Sequence, residues 1–414
     1  MSTTHFHAAE STRDASPGDA AFAQFAAALS RFLRTSAPSA TVSQWPSPDD
    51  CETAFQQLAL SLFALQYQSV PPLLQLCRRR RISPDAVSNW RTIPAVPTTA
   101  FKDYPVTSLP PDQRTAMFCS SGTTSHRPSR HFHNAASLAL YEASLLPWFE
   151  THLAPDSSPE QRGLSFLALT PSPTETPESS LAHMFGVIVR TWGENDSAFQ
   201  GTVGPDGAWH LDAATASARL TRLAAAGRPV CLLGTAFAYV HLIDAMLARG
   251  QRCTLPRGSR ALETGGYKGR SRVLPKSDLH ALMEATLGIA RTHVVSEYGM
   301  SELSSQAYDA VVPASPGHRA CRSFQEKDIA PRERVFHFPP WARALVVSPE
   351  HNIEVREGET GLLRVVDLAN LRSAVAIQTD DLAVRRGHGF ELLGRDPSAE
   401  PRGCSLRAAD LMTY

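Results

Sequence analysis

From Gly163 to Glu302 the chain alternates short apolar runs with helix-length amphipathic segments, and few architectures accommodate that rhythm. A strand needs about four to eight apolar residues bounded by turns, whereas a helix needs about a dozen with an apolar stripe. Gly163–Leu169, Pro229–Leu233 and His293–Val295 fit the first pattern. Ala236–Arg249 and Ser277–Leu287 fit the second; Trp209–Ala226 reads as helical, and Leu181–Val189 as a helix or strand facing the core. The alternation predicts an α/β fold, strands in a sheet and helices on its faces.

The flanking segments differ. Phe22, Phe25, Leu29, Phe32 and Leu33 recur at helical spacing, predicting a helix over 20–34. Ser47-Pro-Asp-Asp caps a second over 50–67, and a third over 71–81 ends in Arg78-Arg-Arg-Arg81, a run that suits a helix C-terminus and solvent. Ile93–Val106 is extended, punctuated by Pro94, Pro97 and Pro105, and contains Lys102. Asn134 opens a core-facing helix over 134–153. Beyond Phe336 short strands are expected at Ala344–Val347, Leu362–Val366, Ala374–Gln378, Leu382–Val384 and Phe390–Leu393. The expected organisation is a disordered tail over 1–19, an α/β core over 20–335, a β-rich subdomain of the same domain over 336–396, and a short terminal segment over 397–414.

Charge narrows the function. Lys and Arg together number 40, as do Asp and Glu, so whole-chain charge gives no case for nucleic acid or a membrane surface. The seven cysteines are scattered, with no Cys-x-x-Cys pair, which argues against a zinc site and a disulfide framework and for a reducing compartment. The polar N-terminus lacks the apolar stretch of a signal peptide, and the longest apolar run, Val230–Leu247, is interrupted by Thr235, His241 and Asp244. A cytoplasmic protein without a membrane span is expected.

The candidate chemistry begins at Phe118-Cys-Ser-Ser-Gly-Thr-Thr-Ser-His-Arg-Pro-Ser-Arg-His131. Hydroxyls at Ser120, Ser121, Thr123 and Thr124, a glycine at Gly122 and arginines at Arg127 and Arg130 suit phosphate oxygens: close backbone N–H groups, hydroxyl donors and cationic forks. An apolar lead-in and a following helix would complete a strand, loop and helix of the nucleotide-phosphate kind. It is not a Walker A loop, and a plain surface loop is the bland alternative.

Three later stretches join it in order: Glu297-Tyr-Gly-Met-Ser-Glu302, Gln378-Thr-Asp-Asp381 and Leu393-Gly-Arg-Asp396. Together they resemble the adenylate-forming superfamily of acyl-CoA synthetases, luciferases and peptide-synthetase adenylation domains. A closer resemblance, to the LuxE-type acyl-protein synthetases of bacterial bioluminescence, is carried by Pro97-Thr-Thr-Ala-Phe-Lys102, Ser120-Ser-Gly-Thr-Thr124, Thr264-Gly-Gly-Tyr-Lys268, Gly394-Arg395 and Arg402-Gly-Cys-Ser-Leu406. It implies two β-sheets flanked by helices plus a small β-rich subdomain, without the superfamily's usual C-terminal domain. It also implies ATP and Mg²⁺, a fatty acid substrate, an acyl-accepting cysteine and a protein partner of the fatty acid reductase type. The sequence leaves the oligomeric state open.

By motif position the resemblance assigns Ser120, Ser121, Gly122, Thr123 and Thr124 to the phosphates, with Arg127 or Arg130 where the superfamily has lysine. Tyr298 would meet the adenine, Gly299 would belong to the nucleotide site, and Gly265 and Gly266 would lie close to the nucleotide and acyl groups. Ser301 would meet the α-phosphate, Glu302 the Mg²⁺, and Asp381 and Arg395 the ribose, with Asp396 at the hinge position. Cys404, flanked by Arg402 and Arg407, would take the acyl group, whereas Cys51, Cys77, Cys231 and Cys253 read as small apolar fillers and Cys119 as a core-facing strand residue. Lys268, Lys102 and His183 are candidates for the group that neutralises the adenylation transition state; His183 also reads as a core histidine. Ser125 stands where the superfamily has glycine, and Asp380 replaces the glycine of Thr-Gly-Asp. These departures keep open a catalytically degenerate nucleotide-binding scaffold subunit, and an acyl- or aryl-CoA ligase of the same superfamily is the other alternative. No Gly-x-Ser-x-Gly occurs to suggest a serine hydrolase.

Overall fold

Three helices lead the chain, α1 (Pro17–Ser36), α2 (Pro48–Ser69) and α3 (Pro71–Arg79), in a computed structural model that describes residues 17–36, 48–120, 127–155, 164–265, 272–313 and 334–396. Each begins on a proline, whose missing N–H costs nothing in a first turn. The apolar stripe of α1 is buried from Phe22 to Leu33. Next come β1 (Val96–Pro97), the short α4 (Ala100–Asp103), and β2 (Ala116–Cys119) paired antiparallel with β3 (Arg130–His133). The helix α5 (Ala135–Leu153) starts in a capping box: the Asn134 side chain accepts from Ser137 N, and the Ser137 hydroxyl accepts from Asn134 N.

The alternating region runs β4 (Ser165–Ala168), α6 (Ser180–Trp192), β5 (Ala198–Phe199), β6 (Gly201–Val203), β7 (Trp209–Leu211), α7 (Ala213–Ala225), β8 (Val230–Thr235), α8 (Ala236–Ala248), β9 (Arg260–Thr264), α9 (Lys276–Leu287), β10 (Val294–Tyr298) and β11 (Ala307–Tyr308). Six of these strands form one sheet in the order β11-β10-β9-β8-β4-β5, parallel except for β11. Helices cover both faces: α5 and α6 share one apolar cluster with the first helices, whereas α7, α8 and α9 share the other. Double coverage explains why β4 and β8 read as near-continuous apolar runs rather than alternating ones.

A second sheet is built from β12 (Ala342–Val347), β13 (Thr360–Asp367), β14 (Ala376–Arg386), β15 (Gly389–Arg395) and β1. One edge of β14 carries β13. The other carries β1 in parallel at Ile377 and Gln378, then β15 antiparallel from Asp381 onward. This sheet buries its apolar residues in the same cluster as α1, α2 and α5.

Three expectations change in detail, and one open alternative resolves to a helix. Trp209–Leu211 is a strand paired with β6, and Asp212 caps α7 by accepting from Thr215 N. Leu181–Val189 is helical, begun by Ser179, whose hydroxyl accepts from Ala182 N. The stretches at 374–378 and 382–384 belong to one strand bent by a register shift. The hydroxyl loop leads into β3 before any helix, because Arg130-His-Phe-His133 pairs back onto β2.

Candidate active site

The neck of the hydroxyl loop is closed by its own residues: Ser120 N donates to Ser129 O at 3.1 Å, and Ser129 N donates to the Ser120 hydroxyl at 2.9 Å. Ser121, Gly122, Thr123, Thr124, Ser125, Gly266, Lys268, Arg402, Cys404 and Arg407 lie outside the described residues. Arg130 leaves the neck on β3, and its Nη2 donates to Lys102 O at 3.4 Å.

The end of β10 runs past this neck. The Ser301 hydroxyl donates to Glu302 Oε2 at 2.9 Å, a Ser129 hydrogen bond also reaches that carboxyl, and the half-buried Lys102 lies close enough to favour its charge. Burial outweighs these contacts and pushes the Glu302 carboxyl above its ordinary value. Ser301 O meets His131 Nδ1 at 2.9 Å, and burial lowers that imidazole to about 4. His131 is therefore neutral near pH 7.

Three residues earlier, the Tyr298 hydroxyl donates to Asp381 Oδ2 at 2.7 Å. The Tyr298 ring is boxed by Phe336, Phe338 and Phe390, with centroids 6.2, 6.2 and 5.4 Å away. Burial raises the Asp381 carboxyl, while Tyr298 and the Arg395 cation oppose the rise. Arg395 is the cross-strand partner of Asp381 and is largely exposed, with Nη2 3.9 Å from Asp380 Oδ2. Among the described candidates, Ser120, Arg130, Ser301 and Glu302 thus gather at the loop neck, and Tyr298, Asp381 and Arg395 at the bend of β14. The turn Gly299–Met300 joins the two groups. Gly265 ends β9 with φ 65°, a left-handed conformation that glycine adopts without strain.

Glu297 is a functional candidate that motif matching passes over. Its carboxyl accepts from the Thr264 hydroxyl across β9 and β10, and burial raises it to about 7. A Cβ at Gly299 would lie 2.2 Å from Glu297 Oε1, so a side chain there would displace that carboxyl. The visible signal was an acid in a strand that begins with the apolar pair Val294-Val295. A ring cluster was also missed. His131 and His133 lie 4.2 Å apart on β3, and Phe118, Tyr141 and His183 surround His133. His183 Nε2 lies 3.3 Å from Glu142 Oε1, and burial lowers the ring despite that carboxylate. The alternation His131-x-His133 was the clue that both rings share one strand face.

Cys119 is half-buried rather than core-facing, and burial together with Glu178 pushes its thiol up to about 11. Cys77, Cys231 and Cys253 are buried, as fillers should be; Cys51 is only half so.

This donor set suits a magnesium nucleotide: hard carboxylate and hydroxyl oxygens beside a lysine, and an aromatic ring held against an acid that can accept from ribose. Glu302 is raised by burial, and a divalent cation would relieve that. No helix among the described residues is long and apolar enough to cross a membrane.

In sequence and in fold the chain is similar to known proteins. The family model for LuxE acyl-protein synthetases matches residues 39–413. A long-chain-fatty-acid–luciferin-component ligase of Vibrio harveyi is 20% identical over 382 residues, 90% of this chain and 92% of that protein. A protein of the same description from Aliivibrio fischeri is 23% identical over 206 residues, 47% of this chain and about half, 48%, of its own length. A 2-hydroxyisobutyryl-CoA ligase solved in a postadenylation state shares the fold with TM-score 0.57 and 11% identity, over 86% of this chain and 72% of that one.

Proposed function

The chain belongs to the LuxE acyl-protein synthetase family, and on that premise we propose that it activates a long-chain fatty acid with ATP, accepts the acyl group on Cys404 and hands it to a protein partner of the reductase type. The observation that carries this reading is the course of the chain out of β10: Tyr298 at its end is bonded to Asp381, and Ser301 with Glu302 follow within four residues, set against the neck of the hydroxyl loop.

The chemistry explains the residue types. A carboxylate is a poor electrophile because an oxide must leave. Its oxygen attacks the α-phosphorus of ATP, the bond to pyrophosphate breaks, and an acyl-adenylate forms. Bound Mg²⁺ would offset the charge that develops on the departing pyrophosphate. Ser301, Glu302 and Lys102 would hold the metal and phosphates there, and Tyr298, Asp381 and Arg395 would orient the nucleoside. A cysteine thiolate then attacks the acyl carbonyl and AMP leaves, giving a thioester. The ordinary cysteine thiol titrates near 8.5. Burial raises all five described thiols above their ordinary value, which makes them poor nucleophiles. That favours an acceptor elsewhere, and Cys404 follows the Gly394-Arg395 motif as the resemblance implies.

The test is intact-protein mass measurement after incubation with ATP, Mg²⁺ and a panel of fatty acids, alongside fatty-acid-stimulated ATP–pyrophosphate exchange. Cys404→Ser should retain exchange and lose the acyl mass increment. Acyl mass retained in that variant would refute the acceptor, and absence of exchange in the wild type would refute the activation. Release of free thioester only when coenzyme A is supplied would favour a CoA ligase instead.

A further inference from the structure

The turn that carries Ser301 and Glu302 is held largely by side chains from elsewhere in the chain. Its own backbone contributes Leu303 N, which donates to Met300 O at 3.1 Å. His131 Nδ1, on β3, meets Ser301 O at 2.9 Å; a carbonyl only accepts, so that ring nitrogen carries the proton. Asn370 Nδ2 donates to Glu302 O at 3.1 Å. Asp367 Oδ2 then accepts from Ser304 N at 2.9 Å and from Ser305 N at 2.8 Å. The carbonyls held by His131 and Asn370 stand on either side of the Glu302 Cα. Both peptide planes that meet at that atom are therefore pinned, and with them the direction in which the carboxyl leaves the backbone.

Asn370 lies in the connection between β13 and β14, and every residue of that connection, 368–375, is buried. Connections ordinarily run over the surface, because buried backbone groups need partners. Here Gln66 of α2 supplies them: its Nε2 donates to Asn370 O at 2.7 Å, and its Oε1 accepts from Val375 N at 2.7 Å. Asn370 Nδ2 also donates to Ala374 O at 3.1 Å, whereas Oδ1 has no partner among the described residues. An unpaired buried amide oxygen is a net cost that an apolar side chain would avoid. What the amide adds in return is a donor shared between its own connection and Glu302 O.

On the reading that Glu302 holds Mg²⁺, we propose that Asn370 and His131 are positioning residues for that carboxyl, gripping its two flanking carbonyls from the second sheet and from β3. Each acts through the backbone rather than on the metal. Groups that orient a metal-binding side chain typically change metal affinity about 10–100-fold when removed.

The test is calorimetric titration of the full chain with ATP, without fatty acid, in Mg²⁺ and again in a chelator at the same ionic strength. Wild type, Asn370→Ala, His131→Phe and Glu302→Gln are compared. The two positioning variants lie on different elements, so either one reads out if the other does not fold. Wild type should bind ATP more tightly with Mg²⁺. Asn370→Ala and His131→Phe should each lose roughly tenfold of that gain and keep the metal-free affinity, because Tyr298 and Asp381 are untouched. A merely structural role would weaken both arms alike, and that result would overturn the proposal. So would a full metal gain in either variant while Glu302→Gln loses it. An unchanged gain in Glu302→Gln would refute Glu302 as the metal-holding carboxylate, and the proposal with it.

Discussion

Glu297→Gln should make the protein more stable at alkaline pH, by an amount that the structure allows to be worked out. The wild-type carboxyl is buried and raised to about 7 from an ordinary value of 4.5. The folded state therefore prefers the protonated acid, and the unfolded state ionises first. Between those two values the folded chain holds a proton that the unfolded chain has released, so stability falls as pH rises. The stabilising contribution is whole below pH 4.5 and lost by the time pH has passed about 7. The difference corresponds to ~3 kcal/mol, at about 1.4 kcal/mol per pH unit. Glutamine cannot ionise, and its amide oxygen can still accept from Thr264. Urea unfolding at intervals from pH 5 to pH 9 reads the effect. Wild type and variant should be close at pH 5 and diverge by ~3 kcal/mol at pH 8, the variant being the more stable. Parallel curves would show that Glu297 ionises alike in both states and would refute the burial argument.

Two further outcomes follow from buried hydrogen bonds. Tyr298→Phe leaves Asp381 without its 2.7 Å donor, which should cost about 1–3 kcal/mol of stability in urea unfolding and raise the ATP concentration needed for half-maximal pyrophosphate exchange. Asp367→Ala removes the acceptor for Ser304 N, Ser305 N, the Ser305 hydroxyl and Ala369 N, all buried; a loss of about 3 kcal/mol or more is expected in the same unfolding assay, and a neutral outcome would mean that water replaces the carboxylate.

Local sequence determined the helices and the parallel strands. Stripe spacing in α1 and the Asn134 cap of α5 are decided within a few residues, and so is the apolar run of β8. The motifs also marked Tyr298, Glu302 and Asp381 as chemically loaded positions, because phosphate, metal and ribose recognition restrict the residue types. Tertiary structure decided who meets whom. That Trp209–Leu211 is a strand depended on β6 offering an edge, and that Glu297 is raised to about 7 depended on the sheet that buries it. Propensity and capping act over one or two turns, whereas burial and charge depend on every neighbour in space, and only the folded chain supplies those neighbours.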